Sequence, residues 1–199
     1  MRAVTRLLLV RHGQSTWNAA GRWQGQADPP LTETGERQAW EACAAIGAVD
    51  AICSSTLERA RRTAEIVSET LGIGPVVSYP GLVERHAGEW QGLTRPEIEA
   101  AWPGYLEAGG RPPGWEADEA LCARALDALG AIATAIRDGD VVVVTHGGVI
   151  YALEAMLGSA FERLANLGAR WIEHRADGWV LGDRVDLLGG VDVTIPDQI

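Results

Sequence analysis

The sequence predicts an α/β fold, a three-layer α/β/α sandwich around a mostly parallel central sheet. Three observations predict it. Leu7 to Val10 and Val141 to Val144 are continuous apolar runs, the pattern of strands buried on both faces. Segments with helical spacing of apolar residues alternate with these and shorter strand-like runs. The 199 residues are 47 % hydrophobic and 22 % charged, which suits one layered core, so a single domain over 1–199 is expected.

Leu7 to Val10 is the first strand. Thr32 to Gly47 reads as a helix, with the Thr32 hydroxyl as N-cap and Ala39, Ala42, Cys43 and Ile46 at helical spacing. Asp50 to Cys53 is a short strand, and Ser54-Ser55 is expected to cap a helix from about Thr56 to Leu71, stopped by Gly72. Pro75 to Ser78 is another short strand. Gly81 to Pro113 is irregular and rich in Gly, Pro and Trp, with a short helix near Pro96 to Trp102. Loops of that length in compact domains tend to carry function. Glu116 to Arg137 is amphipathic, with Cys122, Leu126, Leu129, Ala133 and Ile136 near one face. Val141 to Thr145 is a second buried strand, and Val149 to Leu157 a helix stopped by Gly158. Trp171 to Asp186 holds two strands around the hairpin signal Asp177-Gly178.

Composition removes several function classes. No apolar run approaches the roughly 20 residues of a membrane span. Arg2, Arg6 and Leu7 to Val10 resemble a signal peptide only faintly. The apolar run is short and Arg11-His12 interrupts it, so a strand in a cytoplasmic protein is expected. Cys43, Cys53 and Cys122 are odd in number and widely spaced, which speaks against a disulfide framework or a Cys-rich zinc site. A net charge of −10 without a basic stripe speaks against nucleic acid. Any anion site must therefore be local. All 17 basic residues are arginine, which excludes lysine Schiff bases and a P-loop lysine.

Two segments share one form: an apolar strand, then His12-Gly13, and an apolar strand, then His146-Gly147-Gly148. In open α/β sheets ligands sit just beyond the C-terminal strand ends. If both strands are central and parallel, the two imidazoles face one crevice, and the glycines let backbone come close to a ligand. The ordinary alternative for each is a core histidine bonded to backbone. A third strand end supplies Ser54 to Arg59, where a helix N-terminus and Arg59 can meet an anion. Arg61 and Arg62 lie further round that helix and read as surface residues.

Val10-Arg11-His12-Gly13-Gln14, with Ser15 and Asn18 following, resembles the signature of the histidine phosphatase (phosphoglycerate mutase-like) superfamily. Ser55-x-Leu57-x-Arg59-Ala60-x-x-Thr63-Ala64 resembles its second motif. Leu82-x-Glu84-x-x-x-Gly88-x-Trp90-x-Gly92 resembles its acid-bearing loop, and Thr145-His146-Gly147-Gly148 its last motif. The four stand in the family's order between residues 7 and 150. The resemblance implies the phosphoglycerate mutase-like fold and a metal-independent, cofactor-free phosphatase acting on a small-molecule phosphate ester. It makes His12 the nucleophile and sets Arg11, Arg59 and His146 around the phosphate. Glu84 becomes the proton donor. Asn18, Gln24, Gly25 and Gly147 are further phosphate-contact candidates.

The chemistry asks for these residue types. Arginines neutralise a phosphate dianion bidentately and hold it in line for neutral imidazole. His146 can donate to the equatorial oxygens. The leaving alkoxide needs a proton, so Glu84 must hold one at neutral pH, which burial or the phosphate charge favours. A bell-shaped pH profile is expected, with neutral His12 on the acid limb and protonated Glu84 on the alkaline limb. The ordinary alternative for Glu84 is a salt bridge to Arg85.

Cys53 and Arg59 form C-x5-R, the spacing of a cysteine-dependent phosphatase loop, but the loop lacks glycine and Glu58 repels an anion, so Cys53 reads as a buried residue. Asp138-Gly139-Asp140 precedes a strand and reads as a turn. Trp17, Trp23, Trp90, Trp102 and Trp115 fall in loops near the strand ends, where they line a mouth or cover core. Trp40, Trp171 and Trp179 are expected to pack, His86 to flank the pocket and His174 to lie at the surface. A phosphoglycerate mutase and an inactive phosphate-binding domain are the alternatives to hydrolysis. Ala87 in place of the mutase branch's tyrosine, and only Arg95 and Arg111 between Gly92 and Pro113, favour hydrolysis. The loop Glu84 to Thr94 resembles a short phosphatase branch. Neither the physiological substrate nor the oligomeric state, a homodimer among the options, follows from the sequence, and no motif is legible after Gly158.

Overall fold

The computed structural model describes residues 4–190. In chain order the strands are β1 (Thr5–Arg11), β2 (Ala51–Ser55), β3 (Val77–Tyr79), β4 (Asp140–Thr145), β5 (Gly168–Arg175) and β6 (Gly178–Asp186). The helices are α1 (Thr16–Ala19), α2 (Glu33–Ala42), α3 (Glu58–Leu71), α4 (Arg95–Ala101), α5 (Asp118–Ala135) and α6 (Gly147–Met156). One six-stranded sheet has the order β3-β2-β4-β1-β5-β6. The first four strands of that order are parallel, while β5 and β6 close one side antiparallel.

The apolar runs of β1 and β4 divide by strand alternation. Leu7, Leu9, Val141 and Val143 face α5 and α6, packing on Leu121, Leu129, Ile132 and Ile150. Leu8, Val10, Val142 and Val144 face α2 and α3, packing on Ala42, Ala60, Ala64 and Val67. These are the two buried interfaces of a three-layer sandwich, and they explain why the runs Leu7 to Val10 and Val141 to Val144 are apolar on both sides. Truncating any of these core side chains to alanine costs about 2–5 kcal/mol for the larger ones.

The register places the site. Arg11 of β1 lies opposite Thr145 of β4, and His12 N–H donates to Thr145 O at 3.1 Å. The residues that follow, His12 and His146, therefore leave the sheet side by side.

Several expectations shift. β2 runs on through Ser55, so α3 starts at Glu58, and its first free N–H is taken by Asp28 Oδ1 at 2.7 Å rather than by Ser54 or Ser55. α2 does begin on the Thr32 cap but ends at Ala42, followed by tight turns. α6 starts at once after His146, two residues earlier than expected. Trp40 is 63 % exposed instead of packed, because Ala39 and Ala42 occupy the buried face of α2. Trp171 and Trp179 do pack, on the two sides of the sheet. A separate cluster forms from Trp23, Trp90 and Ile98, with Trp102 and Trp115 against it. Among the described residues no helix is long and apolar enough to cross a membrane.

Candidate active site

The ring centroids of His12 and His146 lie 5.2 Å apart with an interplanar angle of 62°. His12 Nδ1 sits 2.7 Å from Gly13 O, so it carries the proton and donates. Nε2 then presents its lone pair, which accepts from Arg59 Nε at 3.2 Å. His146 Nε2 lies 2.8 Å from Ser55 Oγ, while Leu57 N–H donates to that same oxygen at 3.2 Å. The Ser55 proton is thus free for His146 Nε2, which leaves N–H on Nδ1 of His146. That Nδ1 is buried without a protein partner. Burial, then the charges of Arg59 and Arg11, hold His12 well below the usual histidine range; burial, then Arg59, does the same for His146.

Arg59 is fully buried at the first turn of α3. A buried guanidinium without partners costs several kcal/mol. Here Nη1 donates to Ala27 O at 2.7 Å, Nη2 to Gly25 O at 2.9 Å, and Nε to His12. Burial lowers its pKa to about 10, against the raising effect of Glu84 and Asp28, so it stays cationic at neutral pH. Arg11, the last residue of β1, donates from Nη1 to Leu164 O at 2.6 Å, and its Nε is buried without a protein partner. Burial lowers its pKa as well.

Glu84 does not pair with the Arg85 guanidinium. Its Oε1 accepts from Arg85 N at 2.7 Å and its Oε2 from Gly148 N at 3.1 Å, at the start of α6. A Cβ on Gly148 would lie 2.3 Å from Glu84 Oε1, so only glycine admits the carboxylate there. The Arg85 guanidinium instead meets Asp118 at 2.6 Å and lies over the Trp115 ring.

A cavity of about 590 Å³ is lined by Arg11, His12, Gln24, Gly25, Glu84 and Gly148 among others, while Arg59 and His146 are fully buried against His12 and do not line it. Ser15 Oγ has one proton and two acceptors near it, Gln24 Oε1 at 2.7 Å and Asn18 Oδ1 at 3.2 Å. With Oε1 facing Ser15, the amide nitrogen of Gln24 is the end left for the cavity. Asn18 closes the capping box of α1 with Ser15 and does not line the cavity. Gly25 holds φ +51° and offers its carbonyl to Arg59. Gly147 does not line the cavity, but a Cβ there would sit 3.6 Å from the Arg11 guanidinium carbon. His86 is exposed and lies against Gly114 O and Gly88 N, away from the cavity lining. Of the loop tryptophans only Trp23 and Trp115 line the cavity, because Trp90 is the buried centre of the separate cluster. Burial raises the Cys53 thiol to about 11, the opposite of what a thiolate nucleophile needs.

Some supporting residues have no local pattern in sequence. Thr63 Oγ1 accepts from Gly13 N at 3.1 Å and donates to Arg59 O at 2.7 Å, one turn beyond Arg59. Asn166 Nδ2 donates to His12 O at 2.8 Å from the segment before β5. Arg124 of α5 reaches the Glu84 loop. Ser55 and Thr63 stand inside a motif, which marks their positions but not these contacts.

Two buried arginines, two neutral imidazoles and a carboxyl are thus gathered beside one cavity, the kinds of group that an ester dianion calls for. Residues 7–186 match the model of the histidine phosphatase superfamily (branch 1). The chain is 36 % identical over 196 residues to a metal-independent phosphoserine phosphatase of Arabidopsis thaliana, covering 92 % of this chain and 82 % of that one. It is 36 % identical over 198 residues to a glucosyl-3-phosphoglycerate phosphatase of Mycolicibacterium vanbaalenii, covering 88 % of each. The structure of a mycobacterial glucosyl-3-phosphoglycerate phosphatase with VO3 superposes with a TM-score of 0.80 at 32 % identity, over 92 % of this chain and 98 % of that one. The chain belongs to the histidine phosphatase superfamily, in its phosphoglycerate mutase-like fold. It is a phosphoric monoester hydrolase.

Proposed function

We propose that the chain hydrolyses small phosphorylated metabolites in the cytoplasm through a phosphohistidine on His12 Nε2. The observation that carries this is the fixed tautomer of His12, whose Nε2 lone pair is held on the same side as Arg59 and 5.2 Å, ring to ring, from His146. Arg11 and Arg59 take the ester dianion, and Arg59 Nε gives up His12 for a phosphate oxygen. The Nε2–P bond forms as the ester P–O bond breaks, and the leaving oxygen takes a proton from Glu84. His146 Nδ1–H and the Arg11 Nε–H, both without protein partners, meet the equatorial oxygens as their charge redistributes. The amide of Gln24 and the N–H groups of Gly147 and the α6 N-terminus assist, while Asn18 and the Gly25 carbonyl hold the surrounding loops. Water then attacks phosphorus, the N–P bond breaks, and the Glu84 carboxylate takes the water's proton. Arginine supplies the positive charge throughout, so turnover in EDTA is expected to match turnover without it. Three buried, unpaired cysteines fit a reducing compartment. Quenching in alkaline detergent during turnover of a labelled ester tests the reading: label should remain on protein in a base-stable form that acid releases.

The pH behaviour of the ligand-free protein follows from burial. An unfolded histidine titrates near 6.5. His12 and His146 titrate well below that when folded, so the folded protein binds fewer protons than the unfolded chain once the pH drops under 6.5. Their stabilising effect is complete above 6.5 and is lost as pH falls towards their folded values. Nitrogen NMR of the imidazoles at pH 6 should show His12 neutral with its proton on Nδ1. A protonated ring at that pH contradicts the assignment.

A further inference from the structure

We propose that the outer part of the cavity is a subsite for a flat apolar leaving group, so that the preferred substrates are phosphomonoesters of alcohols bearing an aromatic ring. This rests on the phosphatase reading and extends it to substrate class. The cavity, about 590 Å³, is far larger than a phosphate group requires. Beyond the catalytic groups its apolar lining includes Trp115, Tyr151 and Phe161, and the charged side chains of Arg85, Arg111 and Asp118 line it as well. Phe161 is 60 % exposed and tilted at 59° against Tyr151, ring centroids 5.0 Å apart, so an uncovered aromatic ring lines the cavity. The polar groups of this region are mostly committed to one another. The Tyr151 hydroxyl accepts from Leu164 N at 2.7 Å. Arg85 Nη1 donates to Glu116 O at 2.7 Å, and its Nη2 meets Asp118 at 2.6 Å. A sugar or polyol buried here would leave hydroxyls without partners, whereas a ring would cover Phe161 and stack as aromatic pairs do. Arg111 lies over the Trp115 ring without a carboxylate partner among the described residues, so a small anionic ester is the rival ligand.

Esters with similar alkyl leaving groups separate binding from chemistry: 2-phenylethyl phosphate, propyl phosphate, glucose 6-phosphate and 3-phosphoglycerate. The expected order places 2-phenylethyl phosphate first by about tenfold or more in kcat/KM. In Phe161→Ala the ratio of kcat/KM for 2-phenylethyl over propyl phosphate should fall about tenfold. Preference for glucose 6-phosphate or 3-phosphoglycerate, or a ratio unmoved by Phe161→Ala, overturns the subsite and leaves the phosphatase reading intact. If no ester is hydrolysed, that reading fails instead. Calorimetry of 2-phenylethyl against propyl phosphonate then decides the subsite by itself, with equal affinity overturning it.

A different observation carries a second inference, that Arg124 is a positioning residue for Glu84. Its Nη1 donates to Gly81 O at 2.8 Å and Val83 O at 2.6 Å, and its Nη2 to Glu84 O at 3.0 Å. Nε and Nη2 also hold Glu116 bidentately at 2.7 and 2.8 Å, while Glu116 Oε2 accepts from His86 N at 3.1 Å. One planar fork thus fixes both sides of the acid-bearing residue, a geometry lysine cannot reproduce. Loosening it should misplace the proton donor more than the nucleophile. In Arg124→Gln and Arg124→Lys, the ratio of kcat for an alkyl phosphate over p-nitrophenyl phosphate is expected to fall about tenfold. A purely structural role lowers both rates in proportion, so an unchanged ratio in either variant overturns the inference.

Discussion

His12→Ala should abolish phosphatase turnover, by at least about 10³-fold in kcat, and no acid-labile phosphate should form on the protein. The size of the effect follows from the arrangement of the two imidazoles. His146 cannot take over. Its Nε2 is engaged by Ser55 Oγ at 2.8 Å, and the tautomer this imposes puts a proton, not a lone pair, on the other nitrogen. Cys53 cannot either, since burial holds its thiol near 11. The variant should still bind inorganic phosphate, because Arg11 and Arg59 are held from β1 and α3 by the carbonyls of Leu164, Ala27 and Gly25 rather than by His12 alone. Rate and binding therefore separate: kcat collapses while phosphate still titrates. Single-turnover assays with an alkaline detergent quench and phosphate calorimetry measure the two. Residual turnover within tenfold of the parent, or label on another residue, would remove His12 from the nucleophile's role.

How far the sequence foretold this site depends on the range of the contact. The two strands were legible because both of their faces are buried, so Leu7 to Val10 and Val141 to Val144 had to be apolar throughout. Their endings in histidine were then legible as a pair, and the parallel register of Arg11 with Thr145 brings those endings together. The functions of Ser55 and Asp28 were not legible in that way. A serine after a strand suggests a helix cap, yet Ser55 is still in β2 and orients His146, while the cap comes from a loop 30 residues away. Arg124 looked like any polar residue of an amphipathic helix, since its partners lie about 40 positions earlier. Segment 159–167 carries no pattern, but its carbonyl at Leu164 and amide at Asn166 hold Arg11 and His12 from below. Such long-range polar contacts have no period for a sequence to display. Trp40 misled for the converse reason: apolar character suggested packing, but the helix period places it opposite Ala39 and Ala42.

Glu84→Gln should lower kcat for alkyl phosphates by about 10²–10⁴-fold, the usual weight of general acid catalysis, and far less for p-nitrophenyl phosphate. An alkoxide is too basic to leave without a proton, whereas p-nitrophenolate leaves readily. The contrast separates the proton donor from a residue that only shapes the pocket, which would slow both esters alike. The same side chain is also the base for the second half of the reaction, so the variant should change its rate-limiting step. With p-nitrophenyl phosphate the first half proceeds and the second stalls, giving a burst near one equivalent of p-nitrophenol and a lasting phosphohistidine. The geometry favours glutamine as the test. Glu84 Oε1 and Oε2 accept only backbone N–H groups, from Arg85 and Gly148, and an amide can keep one of them while the other turns away. Alanine would instead open space beside Gly148, where no Cβ fits against the carboxylate. Stopped-flow release of p-nitrophenol, set beside steady-state rates for an alkyl ester, reads both effects; equal slowing of both esters without a burst would assign proton transfer to another group.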